Sequence, residues 1–542
     1  MSGERFSNSW NRRAFLKAAG SLAAATFLVR CGHPQSRQIP VTITGNGAKT
    51  GHLLRDYSFP AHSSEEHIET LIVGGGISGL SAARWLKRNG HHAFRLVELE
   101  DVTGGNSRGG KNSISAYPYA AHYLPVPDTS MKDLLDFLKQ HDVITGFDSG
   151  GLPVYNEYFL CADPQERLFY RGMWMDGLLP GTALNPSEAE ELKKFLAMTE
   201  SYKNQVGKDG RPAFAIPVAR CSTDEEFMTL DRISIGDFLK QEGYRSEFLE
   251  WYLDYCCKDD YGCGVAKTSA WAAIHYFASR KGIGANATSL DVLTWPEGNH
   301  FLASRLNDEV AQHVSCGMLT YKIERSGEGW HCYVYDVDKK ASVRYNCRQV
   351  IMATPQFVNK RILGSVAGIE WEEFKYYPWI VANISVTDSL QLNGRQPLSW
   401  DNVFYKSASL GYVNANHQDV RETGRKAVLT YYYNFSGSDA RTERKRVRDY
   451  SADQWKQLIM DDLHTVHNGI ENIVENIEVN VLGHGMIAPE VNFLRRSSLP
   501  LLKAGLGDLY FAHSDISGIS IFEEAFYQGI RAAKQVLSQH HG

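Results

Sequence analysis

The chain has 542 residues and no apolar run long enough to cross a bilayer. The stretch Ala18–Val29 is about twelve residues, where roughly twenty are needed. A polytopic membrane protein is excluded. With 22% charged and 11% aromatic residues, so are a disordered chain and a low-complexity fibre. An excess of one charge sign is also missing. The 57 basic and 62 acidic residues give −5, and nothing global points to nucleic acid. The nine cysteines lack zinc-ligand spacing even where Cys256, Cys257 and Cys263 cluster, so no metal site is expected. By length alone, three or four domain-sized units are expected, ample for large cores without disulfide staples.

The charge that is present is uneven. Residues 1–30 hold five basic residues (Arg5, Arg12, Arg13, Lys17, Arg30) and one acid, leaving −9 on the rest. Asn11-Arg12-Arg13-Ala14-Phe15-Leu16-Lys17 followed by the apolar stretch resembles a bacterial twin-arginine export signal, with Asn11 where Ser or Thr is usual. That resemblance implies passage through export machinery and a periplasmic or otherwise exported location. Cys31, with Leu28 before it and Gly32 after, is similar to a lipoprotein lipobox and marks a candidate lipid anchor; Arg30 departs from the small residue expected there. Residues 1–31 read as the signal and 32–66 as a polar linker rich in Pro and Gly.

The folded body opens on a strand, Ile68–Val73, then Gly74-Gly75-Gly76-Ile77-Ser78-Gly79, a helical run to Asn89, and a second strand, Phe94–Val97, ending at Glu98. Each part suits a dinucleotide. Gly74 permits the tight turn, Gly76 lets backbone approach a pyrophosphate, and Gly79 lets helix and strand pack closely. The helix N-terminus offers N–H groups and a positive dipole end to the phosphates. Glu98 follows Gly79 by nineteen residues, placed to accept hydrogen bonds from a ribose. A second such fingerprint is absent: the glycines near 504–507 lack a following helix and acid. A separate nicotinamide domain is therefore not expected, and electrons should leave to oxygen, a quinone or a carrier.

After Glu98 comes Gly104-Gly105-Asn106-Ser107-Arg108-Gly109-Gly110, which resembles the second glycine element of the flavin-containing amine oxidase superfamily. That superfamily includes amine oxidases, protoporphyrinogen oxidase and phytoene desaturases. Asn106 stands where Arg is usual, which removes a counter-charge for the pyrophosphate that Arg108 could supply. Near the C-terminus, strand Leu509–Ala512, the loop His513–Gly518 and helix Phe522–Ala533 resemble the closing motif of the same superfamily. The resemblance implies FAD as cofactor, Asp515 at its ribityl chain, and Ile521 and Phe522 beside the flavin pyrimidine. The spacing from Ala512 to Asp515 is one longer than usual, and Glu524 replaces a usual Gly, placing a carboxylate near the flavin. A third segment, Trp295–Leu302, a helix over Ala303–His313, alternating strands from Leu319, and an apolar strand into Ala353-Thr354-Pro355, resembles the return to the FAD domain.

Ala120-Ala121-His122-Tyr123 occupies the place where the superfamily's chain passes over the flavin, and His122 is the candidate catalytic residue, its ordinary pKa suited to proton transfer near neutrality. The lysine usual in the substrate domain of amine oxidases is missing from the comparable strand Trp379–Val386; Lys375 and Lys406 lie outside it. Trp251–Tyr261 mixes aromatics with acids. It reads either as a cage for a cationic amine or as a helix with one buried face. Trp271, His275 and Tyr276 read as core, a capping box is expected at Ser187…Glu190, the cysteines as mostly free and buried, and Arg441–Arg448 as a solvated helix face.

The expected fold class is α/β: a discontinuous Rossmann-type FAD domain (67–125, 291–355, 505–542) with an α+β substrate domain (126–290, mostly helical, and 356–504). The expected function is an FAD-dependent oxidoreductase, amine oxidase-like, taking hydride from a small molecule, with a cationic amine the candidate. The alternatives are a C–C desaturase-type flavoprotein and a non-catalytic flavin carrier.

Overall fold

The computed structural model describes residues 38–45, 47–419 and 425–539. The chain divides into two compact units, Met1–Pro40 and Val41–Gly542. The paired arginines at 12–13 and Cys31 lie outside the described residues. Among those described, no helix is long and apolar enough to cross a membrane.

The second unit is mixed α/β and holds two large sheets. The first has seven strands. Phe94–Val97, His62–Val73, Ala341–Met352 and Leu509–Phe511 run parallel, with Val73 beside Val97 and Met352, and Met352 beside Phe511. The near-continuous apolar runs at these strand ends are buried because helices and loops cover both faces. Four C-terminal strand ends thus open at one level, where the glycine turn leaves Val73. This is the crevice in which open α/β sheets bind ligands. The outer part is an antiparallel hairpin, Met318–Ser326 and Gly329–Asp336.

Helix Ile77–Arg88 leaves the glycine turn and packs on the closing helix Phe522–Ser538. The contact is close because Gly529 presents no side chain: a Cβ there would stand 2.1 Å from the Ser78 carbonyl oxygen. The first dinucleotide helix and the C-terminal helix are thereby locked beside each other.

The second sheet has eight strands. At its centre is Tyr376–Val386, buried at every position and antiparallel to both Ala427–Asn434 and Val474–Ile487. Glu166–Tyr170 and Met173–Asp176 close one edge, so the region 126–290 is less helical than expected. Arg167 supports that edge by donating to Asn402 and lying 3.7 Å over the Trp174 ring.

Four other expectations need correction. Residues 41–66 are not a free linker. Val41–Thr44 pairs parallel with Ile477–Asn480, short helices cover 48–51 and 53–56, and the first dinucleotide strand begins at His62. Pro and Gly content signalled turns between these elements rather than absence of structure. The capping box is two residues earlier, with Asn185 accepting from the Glu188 N–H, because Pro186 suits the first helical position. The strands around 341 and 350 are a single one, Ala341–Met352. Helix Ala440–Asp449 is only partly solvated, since Arg444 is half-buried and borders a cavity. Eight cysteines are described, all free, and all but Cys316 are buried.

Candidate active site

One cavity of about 2480 Å³ runs between the two sheets. At one end it is lined by Gly74, Gly76, Ile77 and Ser78, at the other by Ile216 and His275. Helix Ile77–Arg88 has no side-chain cap and no acid in its first turn, so its leading N–H groups face the cavity unscreened. A Cβ on Gly76 would meet nothing within 4 Å, whereas one on Gly79 would stand 1.9 Å from the Gly74 carbonyl oxygen. Gly76 therefore keeps cavity space open, and Gly79 allows the tight turn to close. Gly75 faces away from the cavity and donates its N–H to Glu98 at 2.5 Å. Gly104 donates to the Gly75 carbonyl at 2.8 Å and brings Gly105, Asn106 and Ser107 to the cavity wall.

Glu98 lines the same wall and also accepts from the Glu100 N–H at 2.9 Å; burial pushes its carboxyl pKa up. The two N–H donors orient it towards the cavity while leaving acceptor capacity for a ribose diol. Asp515 is buried at the wall. It accepts from the Gln356 N–H at 2.9 Å and from the Tyr376 hydroxyl, and lies 3.0 Å from His513. Burial pushes its pKa up, but His513 and these donors outweigh that and hold it below the usual carboxylate range. Ile521 and Phe522 line the cavity at the N-terminus of the closing helix. These residues fit FAD. Two expectations fail here. Arg108 is held by Glu100 at 3.1 Å, and Asn106 donates to the Gly485 carbonyl at 2.6 Å, so neither is an uncommitted partner for a diphosphate. And the carboxylate facing the cavity is Glu523, not Glu524. Glu524 is fully buried and accepts from the Val218 N–H. Burial pushes both up to about 7.

At the inner end, His122 lines the cavity with its ring 4.7 Å from Tyr432 and 5.5 Å from Trp400. Burial lowers its pKa to about 4, below the ordinary value expected from the sequence, so it is neutral at pH 7. Asp259 and Asp260, at the end of helix Glu247–Tyr261, reach the cavity too. Arg280 donates to both oxygens of Asp260, at 2.8 and 2.9 Å, and its guanidinium lies 4.0 Å from the Tyr276 ring centre. Burial, reinforced by the Asp260 charge, pushes Asp259 up to about 7. The aromatic and acidic segment is a helix with one buried face, and none of its aromatic residues lines the cavity. Trp251 and Tyr252 pack on the core, while its last turn faces the cavity. His275 is buried as expected, with Nε2 3.0 Å from the Ala215 carbonyl, and also borders the cavity.

Arg280, Trp379, Tyr432 and Glu523 were not singled out from the sequence. Tyr276 and Arg280, four apart at a helix end, carried the one usable signal. The others come from strands or helices whose inward face depends on register. No lysine of the strand Tyr376–Val386 reaches the cavity, since it has none; Trp379 and Val381 do. Among the described residues no metal-binding cluster forms.

The fold and cavity are those of a Rossmann-type α/β protein with a second sheet over its ligand crevice. Residues 72–140 match the sequence profile of the NAD(P)-binding Rossmann-like domain. No curated protein matches the chain. Solved structures share its fold at low identity. They include cyclohexylamine oxidase from Brevibacterium oxydans (14% identity, 88% of this chain and 100% of that one, TM-score 0.62). Putrescine oxidase bound to putrescine (14%, 88% and 100%, 0.61) and a putative protoporphyrinogen oxidase from Exiguobacterium sp. (14%, 89% and 100%, 0.60) are similar too.

Proposed function

We propose that the chain is an FAD-dependent oxidoreductase that takes a hydride from a small cationic substrate, in the manner of an amine oxidase. The observation that carries this is the continuity of one cavity, from the glycine turn and Glu98 to a pocket walled by Asp259, Glu523, Tyr276, Trp379 and Tyr432. Bound flavin would supply the hydride acceptor; the protein supplies binding, orientation and electrostatics. Asp259 and Glu523 would hold an ammonium group, and the aromatic faces would favour the same charge. Neutral His122, among aromatic rings, can accept a proton but carries none to give at pH 7. The lysine-free strand Tyr376–Val386 favours a second reading, oxidation of a C–C bond as in desaturases.

Anaerobic mixing of the holoprotein with substrate panels tests this. Bleaching by amines supports the first reading, and bleaching only by polyenes or porphyrinogens the second. If neither bleaches it, both fail and a flavin carrier is left. Export by the twin-arginine route belongs to the same proposal and rests on Asn11–Lys17 alone. Changing Arg12 and Arg13 to Lys should leave the protein in the cytoplasm; unchanged export would remove that part.

A further inference from the structure

The cavity has a cationic wall that hydride chemistry does not use. Arg55, in the short helix Leu53–Asp56, and Arg444, in helix Ala440–Asp449, both line it. Arg444 is anchored by donating to the Tyr376 carbonyl at 2.7 Å, and the hydroxyl of that same Tyr376 goes to Asp515. His484, whose ring is stacked on Phe357 at 4.0 Å, lines the same cavity. Burial, then the charges of Arg444, His52 and Arg55, lower the His484 pKa to about 3. His484 directly precedes Gly485, the residue that receives the Asn106 amide. The two arginines, His484 and the glycine loop that lacks its own counter-charge thus line one cavity.

The two carboxylates whose charges act on Arg444 are committed elsewhere. Asp439 caps its helix by accepting from the Arg441 and Thr442 N–H groups, and Glu372 is paired with Lys360. Among the described residues neither Arg55 nor Arg444 has an ion-pair partner within 4.0 Å. Half-buried Arg444 and exposed Arg55, lining one cavity with no ion-pair partner among the described residues, offer a site for a multiply charged anion. Arg55 reaches it because residues 41–56 strap the second sheet to the dinucleotide side. Val41–Thr44 is a strand of that sheet, and a Cβ on Gly47 would stand 2.6 Å from the Glu100 carboxylate.

We propose that Arg444 and Arg55 are the counter-charges for the diphosphate of the bound cofactor, replacing the arginine that Asn106 lacks. This rests on the FAD reading. The test uses the full chain, freed of flavin by dialysis and titrated with FAD and with riboflavin, which has no phosphate. Arg444→Gln and Arg55→Gln should each weaken FAD about tenfold, leave riboflavin unchanged, and flatten the rise of the FAD Kd with salt. Equal weakening of both flavins, or no change in either, overturns the assignment. Arg55 is exposed, so its variant keeps the test valid if Arg444→Gln does not fold. A wild-type chain that binds no FAD at all overturns the cofactor reading itself, a distinct result.

Discussion

Gly529 lies against Ser78 so closely that a Cβ would be 2.1 Å from the Ser78 carbonyl oxygen. One contact thus joins the helix that begins at the glycine turn to the helix that closes the chain, and both begin at the cavity wall. The obstacle is backbone, which cannot swing aside as a side chain can. Gly529→Ala should cost about 1–3 kcal/mol or more in urea unfolding and should lower flavin content, because parting the helices moves both N-termini. Full stability with full flavin content would contradict this packing.

Glu524 gives a pH-dependent prediction. Burial raises its folded pKa to about 7, above the ordinary 4.5 of a glutamate. A carboxyl with a raised folded pKa stabilises the fold below its unfolded pKa, and that contribution is lost as pH rises through about 7. Glu524→Gln retains an oxygen for the Val218 N–H and removes the ionisation. The variant should gain on wild type by roughly 2–3 kcal/mol between pH 5 and pH 8. Parallel pH profiles of stability for the two proteins would show that Glu524 does not titrate in this way.

Asp259 and Glu523 predict a pH dependence of ligand binding. Below about 7 both are largely protonated and offer no charge; above it they ionise. Binding of cyclohexylammonium, followed by perturbation of the flavin spectrum, should strengthen as pH rises from 6 to 8. Asp259→Asn should weaken it about tenfold at pH 8 and flatten the profile. A pH-independent affinity in wild type would remove these groups as the cation site.

The parts legible in the sequence were those encoded by local pattern. Gly74–Gly79, Glu98 and the run into Phe522 each carry their meaning within a few residues, because turn conformation, helix start and strand end are local. The tether read over residues 32–66 failed where its stability is not local. Val41–Thr44 is a strand only because Val474–Ile487 offers it an edge, more than four hundred residues away. The cavity lining failed for the same reason: Arg280, Trp379 and Tyr432 face one space only once two sheets are stacked. His122 lines the cavity, but its lowered pKa depends on burial beside Tyr432 and Trp400, which no local pattern encodes.

The account stands most directly on Gly76. Its φ of −70° suits any residue, and a Cβ there meets nothing within 4 Å. A larger side chain would enter the space assigned to the cofactor without disturbing the fold. Flavin titration of wild type and Gly76→Val, beside their melting curves, is therefore the decisive measurement. The two proteins should melt within about 0.5 kcal/mol of each other. Wild type should bind one FAD and the variant should bind it roughly two orders of magnitude more weakly. A well-folded Gly76→Val that binds FAD as wild type does would contradict the account.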